Sequence, residues 1–281
     1  MIRFENVTKE FPNGTIAIDD VSFVIDPSEF VFLVGPSGAG KTTILRLLMR
    51  ELHPTSGMIN VDGSDLAAIK KRELPLLRRQ IGAVFQDYKL ISDRTVYENV
   101  ALVSDIIKRT QREIDEHVNE ILSLVGLEEK RDLFPSQLSG GELQRTTIAR
   151  ALATQPSIIF ADEPTGNLDQ ATAWEIINLL LMINKKDTTV IVSTHNQDIV
   201  ESVDKRVIEL VKGRVVRDTK KPPEQKAPTR ESEKSEQPSG ETPQKETETR
   251  LEKEPQKVEN ETVPEETKVK SQKQKRKKKK E

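Results

Sequence analysis

The chain predicts an α/β fold, a mostly parallel sheet flanked by helices, followed by a disordered C-terminal tail. Three observations carry this expectation. Short apolar runs of strand character alternate with helical patterns over residues 1–218. One such strand and helix are joined by a glycine-rich loop. From residue 219 to 281 order-promoting residues almost vanish.

Taken in order, residues 2–7 alternate, residues 16–25 follow a Pro12-Asn13-Gly14 turn, and residues 30–34 are continuously apolar, so all three read as strands. Residues 41–51 place Ile44, Leu45, Leu47 and Leu48 at helical spacing straight after the glycine-rich loop. Further strands are expected over 81–85, 157–161, 188–193 and 206–210. Between them lies a long stretch without obvious strands, where 96–107, 114–125 and 142–153 suit helices, and it reads as a helical subdomain over about residues 87–155. Alternating strands and helices imply a sheet covered on both faces, with ligands at the carboxyl ends of its strands.

Composition narrows the function. With 281 residues and 35% hydrophobic side chains the chain suits one substantial core. The net charge of -2 hides a division: residues 219–281 carry about 18 Lys and Arg against about 14 Asp and Glu, which leaves the body mildly acidic. Such a body lacks the broad basic surface that holds nucleic acid, and no sequence-specific nucleic-acid partner is expected. There are no cysteines, which excludes disulfides, thiolate metal sites and cysteine nucleophiles. The N-terminal MIRFENVTKEF lacks the basic start and apolar stretch of a signal peptide, and no run approaches the roughly 20 apolar residues of a membrane-crossing helix, so any membrane attachment is expected to be borrowed from a partner. The tail ends in a nearly all-basic run over 273–280, which reads either as a solubilising end or as an anchor for anionic lipid, RNA or another acidic partner.

The segment GPSGAGKT, residues 35–42, matches the phosphate-loop pattern in the strand-to-helix setting that gives the pattern its meaning. Gly35, Pro36, Ser37, Gly38, Ala39 and Gly40 would wrap backbone amides around the phosphates of ATP, with the helix N-terminus behind them. Lys41 supplies charge to the β and γ phosphates, the Thr42 hydroxyl is placed to ligate Mg²⁺, and Thr43 completes the nucleotide-binding stretch. The strand over 157–161 ends in Asp162-Glu163, at the same sheet edge as the loop. Asp162 is the expected partner of Mg²⁺ through water, and Glu163 the general base that polarises the attacking water.

A third motif, LSGGE at 138–142, opens a helix about twenty residues before Asp162. It resembles the signature of ABC ATPases, and Phe11, Gln86, the Gly166-Asn167-Leu168-Asp169 loop and His195 then fall into that family's order over residues 1–218. The resemblance implies a P-loop NTPase of ABC type, with a small antiparallel β subdomain beside the main sheet. It implies that Phe11 stacks on adenine, that Gln86 touches Mg²⁺ and the water, and that His195 holds the γ phosphate. Ser139, Gly140, Gly141 and Glu142 would cap the nucleotide bound by a second copy, with Asp169 coupling the two sites, so that the active form is a homodimer closed on ATP. His53 and His117 match nothing in the family and are expected on the surface.

Within the family the chain looks most like the cell-division ATPases of the FtsE type, through VFQDYKLISDRTVYENVAL at 84–102 and ADEPTGNLD at 161–169. That resemblance implies an FtsX-like integral membrane partner, control of cell-wall hydrolysis, and a place at the cytoplasmic face of the membrane. ADEPTGNLD is also similar to lipoprotein-release and macrolide-export ATPases, which keeps an exporter subunit as the alternative. A soluble ABC protein acting on RNA or ribosomes is a third reading, supported by the basic end. Ser28, Leu143, Gln170 and Ser193 stand where the family usually has Gly, Gln, Pro and Ala.

Overall fold

The computed structural model describes residues 1–105 and 110–220. The tail from residue 221, and the last two residues of the helix expected over 96–107, lie outside them.

Two sheets organise the body. The antiparallel sheet has the order β2-β1-β4-β5, from β1 (Ile2–Glu10), β2 (Ile16–Ile25), β4 (Ser56–Val61) and the short β5 (Ser64–Asp65). The second has the order β10-β9-β3-β8-β7-β6, from β3 (Phe30–Val34), β6 (Ile81–Val84), β7 (Ile158–Asp162), β8 (Thr189–Thr194), β9 (Arg206–Val211) and β10 (Arg214–Asp218). It is parallel from β9 to β6, with β10 added antiparallel at one edge. This is the expected arrangement of a mainly parallel sheet beside a small antiparallel one.

Why the central strands read as unbroken apolar runs is visible in their alternation. Phe30 and Phe32, Ile159 and Ala161, and Val190 and Val192 enter one core. Their neighbours Val31, Leu33, Ile158, Phe160 and Ile191 enter the other. Both faces are buried, so both sets must be apolar. The first core is closed by α3 (Val96–Asp105), α4 (Gln111–Val125), α5 (Gly140–Leu152) and α6 (Gln170–Asn184). The second is closed by α1 (Lys41–Leu48), α2 (Leu74–Gln80) and the antiparallel sheet. A last short helix, α7 (Gln197–Ser202), follows β8.

Three details differ from the sequence reading. Helix α1 stops at Leu48 rather than at 51, because Arg50 turns into the left-handed region (φ 55) and its guanidinium donates to the carbonyls of Leu66, Ala67 and Ile69. His117 is buried, not on the surface: it shares the inner face of α4 with Ile114, Val118 and Ile121, and its Nε2 lies 3.1 Å from the Ala153 carbonyl oxygen. His53 is exposed, as expected, beside Arg50. Composition assigned Thr219 and Lys220 to the tail, yet both are tied to the body. The Thr219 hydroxyl accepts from the Val207 amide at 2.9 Å, its own amide donates to the Val207 carbonyl at 3.0 Å, and the Lys220 ammonium pairs with Asp26 and Glu29.

That end of the sheet is held by Arg206, whose side chain is only 7% exposed. It donates to Asp218 through two nitrogens at 2.8 and 2.7 Å, to Glu29 at 3.0 Å and to the Val24 carbonyl at 2.6 Å. Removing one partner of such a cluster strands the remaining charges, at a typical cost of about 3 to 5 kcal/mol. Arg206→Leu is expected to fall near the lower end, about 3 kcal/mol, because Lys220 still faces Glu29. Urea denaturation measures it, and a loss below about 1 kcal/mol would show that the cluster does not hold the edge.

Candidate active site

The parallel sheet sends β3, β6, β7 and β8 to one carboxyl edge, where the chemistry-bearing residues collect. The loop from β3 into α1 runs so close to its neighbours that side chains are excluded. A Cβ on Gly35 would lie 2.2 Å from the Leu210 carbonyl oxygen, and Gly40, the N-cap of α1, has φ 109 and would bring a Cβ within 2.6 Å of the Ala17 carbonyl oxygen. Pro36, Ser37 and Gly38 form the exposed crest of the loop, Ala39 is buried beneath it, and Thr43 continues α1.

Lys41 is buried, and its ammonium donates to the Gly35 and Pro36 carbonyls at 2.8 and 3.2 Å and lies 3.3 Å from Glu163 Oε1. The Thr42 hydroxyl donates to Asp162 Oδ2 at 2.7 Å. Asp162 ends β7 and is itself buried, and its Oδ1 accepts from the Ser193 hydroxyl of β8. Glu163 follows in the left-handed region (φ 49), unusual for a residue with a Cβ. Its amide donates to the Ser193 carbonyl at 3.0 Å and to the Ser193 Oγ at 3.1 Å, which holds the strained turn. The other carboxylate oxygen of Glu163 meets His195 Nδ1 at 3.2 Å, where His195 is largely exposed just beyond β8. Lys41, Thr42, Asp162, Glu163 and His195 therefore form one connected cluster.

The remaining sequence-derived residues sit on other elements. Gln86, two residues beyond β6, is exposed; its side-chain nitrogen packs against Gly166, and its carbonyl accepts from Asn167 at 3.3 Å. Asp169 caps α6, accepting from the Thr172 amide at 3.0 Å and the Thr172 hydroxyl at 2.6 Å, and these bonds hold its carboxyl below the ordinary aspartate range. Ser139 caps α5, and its amide and hydroxyl both donate to Glu142 Oε2 at 2.8 Å. The Ser139 amide first, then its hydroxyl and Lys130, hold the Glu142 carboxyl below the ordinary glutamate range. A Cβ on Gly141 would lie 2.5 Å from the Thr172 methyl and force it to shift, and Gly140 packs beside Leu168. Phe11 is half-buried at the turn after β1, with the Lys9 ammonium 5.5 Å from its ring centre.

Two side chains of the site escaped the sequence reading. Ser193 was seen only as a departure from a usual Ala, although its place two residues before His195 was a usable signal. Arg150 projects from α5 to the carbonyls of Lys89 and Tyr88 at 2.5 and 3.0 Å, holding two successive left-handed residues (φ 49 and 56) just after Gln86. Burial pushes its guanidinium below the ordinary arginine value. Nothing local in the sequence marks that contact.

Comparison with known proteins meets this geometry directly. Residues 18–166 match the ABC transporter family. The chain is 50% identical over 221 residues to the cell division ATP-binding protein FtsE of Streptococcus pneumoniae, covering 79% of this chain and 96% of that protein. It is 49% identical over 218 residues to FtsE of Bacillus subtilis, covering 78% and 96%. Among solved structures, the dimeric post-hydrolysis state of the ATP-binding cassette MJ0796 bound to ADP and Pi superposes with a TM-score of 0.71 at 37% identity, covering 78% of this chain and 98% of that one. Likeness of this extent, running through the very loops that gather at the sheet edge, makes the chain an ATPase that belongs to the ABC transporter family.

Proposed function

We propose that this chain is the ATP-hydrolysing subunit of a cell-division complex, closing as a homodimer on ATP and passing that motion to an FtsX-like integral membrane protein that controls cell-wall hydrolysis. The relatives described above, cell-division proteins rather than exporters, support that output. The observation that carries the chemistry is Glu163 lying between Lys41 and His195 at the mouth of the phosphate loop.

In this reading Lys41 exchanges the loop carbonyls and Glu163 for the β and γ phosphates, since a phosphate outcompetes a neutral carbonyl for an ammonium. Glu163, released from Lys41, accepts a proton from the attacking water, while His195 orients the γ phosphate. Phe11 stacks on the adenine, a contact worth about 1 to 3 kcal/mol. Among the described residues no three His, Asp or Glu side chains gather to cage a metal. The oxygen donors that are present, the Thr42 hydroxyl and the Asp162 carboxylate, suit Mg²⁺ held chiefly by phosphates and water, with Gln86 as a further oxygen. Mg²⁺ bound there supplies charge neutralisation on the phosphate oxygens.

Ser139 and its glycines would reach the γ phosphate of the partner copy, since the first amides of a helix lack acceptors within it. Asp169 would couple the two sites. Residues 87–155, carrying α3, α4 and α5, are the helical subdomain in this reading, and the segment after Gln86 faces the membrane partner. Among the described residues no helix is long and apolar enough to cross a membrane, so that partner would hold the chain at the cytoplasmic face.

Glu163→Gln is expected to bind ATP, accumulate as a dimer and lose roughly 10² to 10⁴ in turnover. Steady-state phosphate release and gel filtration with ATP check this, and near-normal hydrolysis would remove Glu163 as the base. Lys41→Ala is expected to weaken ATP binding by about tenfold or more, read by calorimetry; unchanged affinity would contradict its role. If each site is shared, mixing Lys41→Ala with Ser139→Ala chains should restore at most one competent site per dimer, and full activity of either variant alone would exclude sharing.

A further inference from the structure

We infer that Ser193 is a positioning residue of the active site: its hydroxyl fixes the rotation of the Asp162 carboxylate and couples it to the backbone of Glu163, so that the metal-side carboxylate and the base are held as one unit. The inference rests on the reading of Asp162 and Thr42 as Mg²⁺-side residues given above.

Strand β8 lies between β3 and β7, and Ser193 is the direct neighbour of both Leu33 and Asp162. Side chains alternate along these strands, and Ser193 falls on the face of Ile191, while Asp162 falls on that of Ile158 and Phe160; these three apolar residues share the core packed against α1. The hydroxyl therefore points along the face that bears Thr42, and Ser193 is fully buried. An apolar side chain would suit that face, because a buried hydroxyl is costly unless its hydrogen bonds are made. Here they are made on both sides: Ser193 Oγ donates to Asp162 Oδ1 and accepts from the Glu163 amide at 3.1 Å.

The two halves of this arrangement are not equivalent. The Glu163 amide has a second acceptor in the Ser193 carbonyl at 3.0 Å, so removing the hydroxyl leaves the backbone turn bonded. The carboxylate is different. Thr42 holds Oδ2 at 2.7 Å and Ser193 holds Oδ1, and with both donors in place the group is pinned at each oxygen. Without Ser193 it pivots about Thr42, and a metal whose water shell is oriented by that carboxylate loses its fixed partner. Groups that orient a metal ligand in this way typically carry about 10- to 100-fold in metal affinity or activity.

The test uses the full chain with Ser193→Ala, and a fluorescent ATP analogue titrated once in EDTA and once in Mg²⁺. In EDTA the variant is expected to match the wild type within about twofold, while the gain in affinity on adding Mg²⁺ falls by about tenfold or more, and the Mg²⁺ concentration for half-maximal hydrolysis rises in step. An undiminished Mg²⁺ gain overturns the inference, and so does an equal loss in EDTA, which would make the hydroxyl a packing group only. A wild-type chain whose affinity ignores Mg²⁺ would instead overturn the metal reading of Asp162 and Thr42, and this inference with it.

Discussion

The hydrogen bond from Thr42 to Asp162 joins residues 120 positions apart and fastens the phosphate loop to a strand two places away in the sheet. Loop and acid arrive on separate strand-loop units, and only a parallel sheet with both faces covered presents the two ends at the same edge and height. Strand β8 fills the gap between them and contributes Ser193 and His195, so the site is a row of three adjoining strand ends rather than a pocket in a loop.

The chemistry of the cluster follows from how few groups are left free within it. The Lys41 ammonium donates to two carbonyls and forms an ion pair with the Glu163 carboxylate, and Glu163 sits in a turn that its side chain does not favour. Such a turn costs on the order of 1 to 3 kcal/mol and persists because the β8 backbone and hydroxyl hold it. In the role proposed for Glu163, a backbone held in this way keeps the carboxylate at the mouth of the phosphate loop while water attacks the γ phosphate.

Much of this was legible in the residues. The central strands announced themselves because both faces are buried, and the phosphate loop because close backbone approach admits only glycine at Gly35 and Gly40. What escaped notice has physical reasons too. Edge strand β10 leaves Val216 exposed and carries Arg214 and Arg217, so it lacks an apolar signal, and α2 buries only Leu77. His117 matches no motif of the family, yet its spacing from Ile114 and Ile121 puts it on the buried inner face of α4. The end of the fold was drawn where apolar residues cease, whereas Thr219 and Lys220 are held by hydrogen bonds and charge, which composition does not display. Contacts such as Arg150 to residues 88 and 89 depend on the tertiary path alone.

That last contact has a mechanical meaning. A partly buried guanidinium cannot be stripped of its two carbonyl acceptors cheaply, since hydrogen bonds to a charged group contribute about 1.5 to 3 kcal/mol each. The segment that trails Gln86 is thereby pinned to the far end of the helix whose near end is Ser139. Any displacement of residues 88 and 89 that keeps both bonds must carry the last turn of α5 with it.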